Sequence, residues 1–161
     1  DDWDAERVSY PFDLSYIADA PYDGNQELGN PALTSSYGWV AANNSVPGDA
    51  YFEIHFSQRT AVAGLLTMGA TFGELGVTEF MVNYTLSQPP FTDAFTEAAA
   101  NNATGQPVFY AGGHSCASQA VTFARTLLVT GLRVIPLVWN LGVQGLDAPG
   151  MRANVELCEV P

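Results

Sequence analysis

The 161-residue chain contains no lysine: its five cationic side chains are all arginine, against 17 acidic ones, and the formal net charge is −12. Without a basic face it has little to displace counterions from a nucleic acid or to sit against anionic headgroups, so nucleic acid and anionic membrane are excluded as principal partners. Host codon usage also thins out lysine in some proteins, and the consequence for charge is the same. Cysteine is nearly absent. Cys116 and Cys158 are too few for the disulfide scaffold of a small secreted domain, so the core has to come from apolar burial. No apolar run approaches the length of a bilayer span. The first residues, Asp1-Asp2-Trp3-Asp4, have neither the basic start nor the apolar stretch of a signal peptide, and fit a mature domain cut from a longer precursor. Charged residues make up only 14% of the chain against 47% hydrophobic, the balance of a folded domain and not of an acidic disordered tail.

Glycine and proline are well supplied, at 15 and 10, and their spread along the chain leaves little room for long helices. Strand-like runs lie between them. In Tyr51-Phe52-Glu53-Ile54-His55-Phe56 the residues Phe52, Ile54 and Phe56 share one face while Glu53 and His55 share the other, the pattern of a half-buried strand. A turn at Ser57-Gln58-Arg59-Thr60 is expected to separate it from a second strand over 61–68. Further strands are expected at 79–86, where Phe80, Val82 and Tyr84 share a face, and at 119–124, 132–136 and 153–160. The stretch 91–100 reads either way, because Thr-Glu-Ala-Ala-Ala favours a helix and Phe91 and Phe95 sit at helical spacing. With no repeat and no linker, one all-β antiparallel sandwich over 1–161 is the expected architecture. Three sequons, at Asn43, Asn83 and Asn102, favour a secreted or cell-surface location.

Taken in order, these segments resemble the discoidin domain, also called the coagulation factor 5/8 type C domain, of the galactose-binding-like superfamily. Trp39 and the run 51–56 are similar to the family's Trp-containing loop and following strand. Val62-Ala63-Gly64-Leu65-Leu66-Thr67-Met68-Gly69 resembles its Val-Thr-Gly-Ile-Ile-Thr-Gln-Gly strand, and 77–85 the partner of that strand. Gly131-Leu132-Arg133-Val134-Ile135-Pro136 with Trp139 is similar to Tyr-Val-Arg-Ile-x-Pro followed by Trp. Met151-Arg152-Ala153-Asn154-Val155-Glu156-Leu157-Cys158 resembles the closing Leu-Arg-x-Glu-Leu-x-Gly-Cys. The resemblance spans about 12–160 and implies a discoidin-like jelly-roll β-sandwich. It departs from the family in two places: His55 replaces the usual aspartate, and the N-terminal cysteine that would pair with Cys158 is missing. If strand directions follow the family, Cys116 lies at the end opposite the termini, beyond the reach of a disulfide to Cys158.

Asp23-Gly24-Asn25 sets two oxygen side chains around a glycine, which suits a tight turn wrapped on one ion and equally an ordinary turn. Fucose-binding relatives carry a structural Ca²⁺ near the termini on such a turn. By that resemblance the ligands here are the Ala20 carbonyl, Asp23, Asn25, a hydroxyl from Thr34 or Ser35, and the Cys158-Glu159 pair. The ion would tie the N-terminal loop to the last strand.

The resemblance also implies a ligand end opposite the termini, formed by residues 39–49, 69–76, the loop around Gly112-Gly113-His114, and 138–150. Sugar recognition uses an aromatic platform and a few planar polar groups, and Trp39, Asn44, Phe72, Glu74, His114, Trp139 and Asn140 are the candidates. Trp39 and Trp139 also match framework tryptophans, and Arg133 and Arg152 match framework arginines. The histidine and Arg-x-Asp-Gly motif of fucose binders is absent, and a glycan on Asn43 would crowd this end. Phe72 and Leu75 resemble the apolar spikes of lipid-binding relatives, but the only charge beside them is negative. Two histidines in separate contexts supply no catalytic set, so no enzyme is expected. The expected function is an extracellular recognition module for glycan or glycoprotein, a lectin-like role. The alternative is a cell-adhesion or matrix-assembly domain that binds protein through the same loops.

Overall fold

In a computed structural model that describes residues 14–42, 45–87 and 95–158, two strands are far longer than the sequence pattern suggests. β1 (Leu14–Ala18) and β2 (Trp39–Val40) are short, but β3 (Phe52–Met68) runs for 17 residues. β4 (Gly76–Thr85), β5 (Glu97–Ala98) and β6 (Phe109–Tyr110) follow. β7 (Gln119–Asn140) then runs for 22 residues before β8 (Gly150–Leu157). The turn expected at 57–60 does not end a strand. The backbone stays extended there, residues 57–59 are exposed, and the β3–β7 pairing changes register between His55 and Thr60. Extra residues on one strand make a bulge, and a bulge bends and twists the pair.

That bend lets β3 and β7 each serve both layers of a sandwich. One layer holds β1, the first part of β3, the second part of β7, and β4, with β5 and β6 on β4. The other holds the first part of β7, the second part of β3, and β8, with β2 alongside. All of these ladders are antiparallel. Between the layers, Trp39, Phe52, Ile54, Val62, Leu65, Phe80, Phe109 and Leu132 are at 0% exposure. Each such side chain contributes about 1.5–3 kcal/mol by leaving water. The segment left open over 91–100 carries β5 and the buried Phe95, with no helix among its described residues.

The inward face of β3 is as expected, but its other face is not solvated. Glu53 is only 6% exposed, because Arg133, Tyr51 and Phe95 cover it. Arg133 Nε donates to Glu53 Oε2 at 2.6 Å, while the guanidinium carbon sits 4.2 Å from the centre of the Tyr51 ring and 4.6 Å from that of Phe95. His55 Nε2 meets Glu53 Oε1 at 2.9 Å. The buried carboxylate is thus paired on both oxygens, which is what a buried charge requires.

The bend also decides which loops meet. Since β3 and β7 fold back on themselves, Phe52 and Met68 come to one end, and so do Gln119 and Asn140. Gly76 pairs with Asn140, and Gly150 begins β8 beside Val40 at the same end. At the opposite end, near the bend, Cys158 N donates to the Ala61 carbonyl at 3.0 Å.

Candidate ligand-binding site

Three loops close the first of these ends: residues 69–75, 111–118 and 141–149. They have a small apolar core of their own, in which Leu28, Val40, Ala70, Leu75 and Ala148 are buried and Tyr22, Phe72 and Leu146 pack half-buried around them. Main-chain bonds tie the loops together. Gly69 N donates to the His114 carbonyl at 2.7 Å, Ala70 N to Leu75 O at 2.9 Å, and Gly76 N to Asn140 Oδ1 at 2.7 Å. Gly76 lies so close to Gly113 that a Cβ there would enter the Gly113 carbonyl, so the junction requires glycine.

Arg152, on β8, fastens the assembly from beneath. It is 7% exposed, and it donates from Nε to Gly69 O at 3.0 Å, from Nη1 to Ser35 O at 3.3 Å, and from Nη2 to Ser115 O. One guanidinium fork thereby fixes three loop segments, a task its planar set of donors suits. The match to a framework arginine had suggested support in general, but not which carbonyls it holds.

Of the residues expected to meet a ligand, His114, Glu74 and Asn140 are exposed on this end. Asn140 spends Oδ1 on Gly76, leaving its Nδ2 as the group to offer. Glu74 holds a left-handed backbone, φ 56°, which is uncommon for a non-glycine residue and is kept here by the turn over 72–74. Phe72 is half-buried, its ring 5.8 Å from that of Tyr22. Trp139 is half-buried and donates Nε1 to Asp147 Oδ1 at 2.8 Å, so Asp147 belongs to the rim although nothing in the sequence pointed to it. Trp39 is corrected. At 0% exposure, packed edge-on against Phe52 at 5.4 Å, it is core and offers no platform. Asn44 lies outside the described residues, as does Asn43. Beside the 41–50 loop, a cleft of about 310 Å³ is lined by Asp19, Ala20, Ser45 and Asp49 among others. Burial pushes the Asp19 carboxyl above its ordinary pKa, against the Tyr51 N–H and Arg133, which pull it down, and with Glu53, which adds to the rise.

The calcium set is not gathered. Ser35 O accepts from the Arg152 guanidinium, whereas Cys158 follows the last residue of β8. The main-chain neighbour of residues 31–33 is Ala153: its N donates to Pro31 O at 2.7 Å, and Leu33 N donates to its carbonyl at 3.1 Å. Asn25 Oδ1 accepts from Glu27 N at 3.1 Å, and Ser35 Oγ donates to Asn30 O at 2.9 Å. Asp23 lies in the turn beside Tyr22, which packs on Phe72 at the loop end. Thr34 is exposed, Ala20 lines the cleft, and Glu159 lies outside the described residues. Among the described residues no three of His, Cys, Asp and Glu converge as metal ligands. Among the described residues the donors expected for Ca²⁺ are thus not brought together.

Asn83 is also corrected as a glycan acceptor. It lies within β4, and its Nδ2 donates to Phe95 O at 3.2 Å while Oδ1 is buried. Asn102 is exposed in a tight turn. Cys116 and Cys158 stand at opposite ends of the sandwich and are not joined to each other.

No protein-family model matches the sequence, and no curated protein matches it. Solved structures do match the fold. Discoidin II of Dictyostelium discoideum superposes with a TM-score of 0.66 at 13% identity, covering 92% of this chain and 56% of that one. The F5/8 type C domain of a Bacteroides fragilis protein gives a TM-score of 0.63 at 11% identity, over 88% of this chain and 89% of that domain. The family 32 carbohydrate-binding module of C. perfringens NanJ, in complex with galactose, gives 0.50 at 10% identity, over 88% and 87%. The chain is thus similar to these proteins in fold, and spans little more than half the length of the discoidin II chain. It has the discoidin-like β-sandwich that its segments led us to expect.

Proposed function

We propose that the chain is an extracellular glycan-recognition module that binds through the loop end. The observation that carries this reading is the Arg152 fastening of three loops, with His114, Glu74, Asn140 and the Trp139–Asp147 pair arranged around the surface they form. Rigid loops carrying a few oriented polar groups beside an aromatic edge are what hydroxyl recognition needs, since sugars gain little from flexible partners. The NanJ module, structurally similar and bound to galactose, supports a galactose-class sugar as the first ligand to try. The −12 charge favours a neutral or cationic glycan over a sulfated or sialylated one. An extracellular location belongs to the same proposal, with Asn102 as the exposed sequon.

The experiment is a glycan array probed with the intact chain and with the His114→Ala, Glu74→Ala and Asn140→Ala variants. A sugar hit that these variants lose supports the reading. Silence across the array overturns it and favours the protein-binding alternative, for which the exposed Leu141 and Val143 at the loop tip supply apolar contact.

A further inference from the structure

A second cavity lies at the side of the sandwich, away from the loop end, where β4 and the first part of β7 face each other. Its volume is about 310 Å³. The floor is apolar, made by Phe123, Leu127 and the methyl groups of residues 98–100. Its mouth is polar. Tyr84 of β4 is half-buried in the lining, and the exposed Arg125 of β7 donates from Nη2 to the Tyr84 hydroxyl at 3.4 Å. Because Tyr84 accepts there, its own O–H proton is left to donate outward. Guanidinium and phenol thus lie side by side on a lining that is otherwise apolar.

The chemistry of the mouth selects an anion. Arg133 is paired with Glu53 and Arg152 is spent on carbonyls, whereas among the described residues Arg125 has no carboxylate partner. A planar carboxylate matches the guanidinium fork and accepts the phenol proton as well. The size of the cavity is at the small end for ligand pockets, about 300 Å³, so only a short aliphatic body fits behind the carboxylate.

We propose that this cavity is a binding site for small aliphatic monocarboxylates, separate from the loop end. The test uses the intact chain, labelled for NMR and titrated with butyrate and, in parallel, with the neutral isostere butyramide. Butyrate is expected to shift the signals of Ala99, Phe123 and Leu127 saturably, and butyramide to bind about tenfold more weakly or less. Arg125→Gln should abolish the butyrate shifts while leaving the melting temperature unchanged, since Arg125 is exposed. Tyr84→Phe should weaken binding several-fold. Equal binding of butyrate and butyramide, shifts that survive Arg125→Gln, shifts confined to the loop end, or no saturable shift each overturn the proposal. None of these results depends on whether the loops bind a glycan.

Discussion

Arg152 Nε donates to the carbonyl of Gly69 at 3.0 Å, joining the last strand to the loop that follows β3. The same side chain reaches Ser35 and Ser115, so one buried cation sets the relative position of the surfaces proposed to meet ligand. Replacing it with alanine leaves three carbonyls without their donor. Hydrogen bonds to a charged group contribute about 1.5–3 kcal/mol each, with partial recovery by water, so Arg152→Ala should cost about 2–4 kcal/mol in urea unfolding. Arg152→Lys keeps the charge but not the fork, and should restore less than half of the loss. Full rescue by lysine would show that charge alone matters.

Glu53 and Arg133 form the buried pair on the outer face of β3, and the arginine is also held between two rings. Arg133→Ala strands a buried carboxylate and should destabilise by about 3–5 kcal/mol. The Glu53→Gln, Arg133→Met double variant should be less damaged than Arg133→Ala, since it removes both charges and keeps the bulk. A double variant as unstable as the single one would show that ring packing, not the stranded charge, is what Arg133→Ala loses.

Gly76 marks the closest approach between the loops. A methyl group there collides with the Gly113 backbone, which cannot yield as a side-chain tip can. Gly76→Ala should cost about 1–3 kcal/mol and displace the 111–118 loop, visible as shifts in the His114 and Ser115 amide signals. An unchanged spectrum would mean that the two loops are free of each other.

Two partly buried groups, Asp19 and Tyr16, act at opposite ends of the stability profile. Burial raises the Asp19 pKa above its ordinary 3.8, so the folded state keeps that proton longer than the unfolded state does. Stability from this group is therefore full below pH 3.8, falls as pH rises through the folded value, and stays lost above it. Asp19→Asn, which keeps an acceptor for Tyr51 N, should melt higher than the parent at pH 7, with the difference closing in acid. Burial likewise pushes Tyr16 up to about 12, where its hydroxyl donates to Ala153 O at 3.1 Å. Its contribution should persist below pH 10 and drain away above it, and Tyr16→Phe should flatten that alkaline limb. A lower melting point for Asp19→Asn at pH 7 would show that the carboxylate is favourable as the anion.

The alternation of Phe52, Ile54 and Phe56 was legible because a strand has period two and one face of it meets the core. The burial of Glu53 on the other face was not, because it depends on Arg133, 80 positions away, and on Phe95 from a third segment. The same holds for the ends of the sandwich. Residues 57–60 read as a turn by composition, yet they are a bend within one strand, and that bend decides which loops are neighbours. The family resemblance placed His114, Glu74 and Asn140 at one end, and the structure has them there. Trp39 was at the right end but on the wrong side of the surface, since aromatic character fits core and platform alike. The described calcium donors stay apart because residues 31–33 pair with Ala153, near the start of β8, while Cys158 follows its last residue.

The proposed function rests on binding of the ligand at the loop end. It is tested most directly by an NMR titration of the intact, labelled chain with the strongest saccharide found on the array. Saturable shifts are expected, confined to residues 72–75, 112–115 and 138–147, lost in His114→Ala and unaltered in Arg125→Gln. Saturable shifts on the sheet faces or in the side cavity, with the loop signals unmoved, would contradict it.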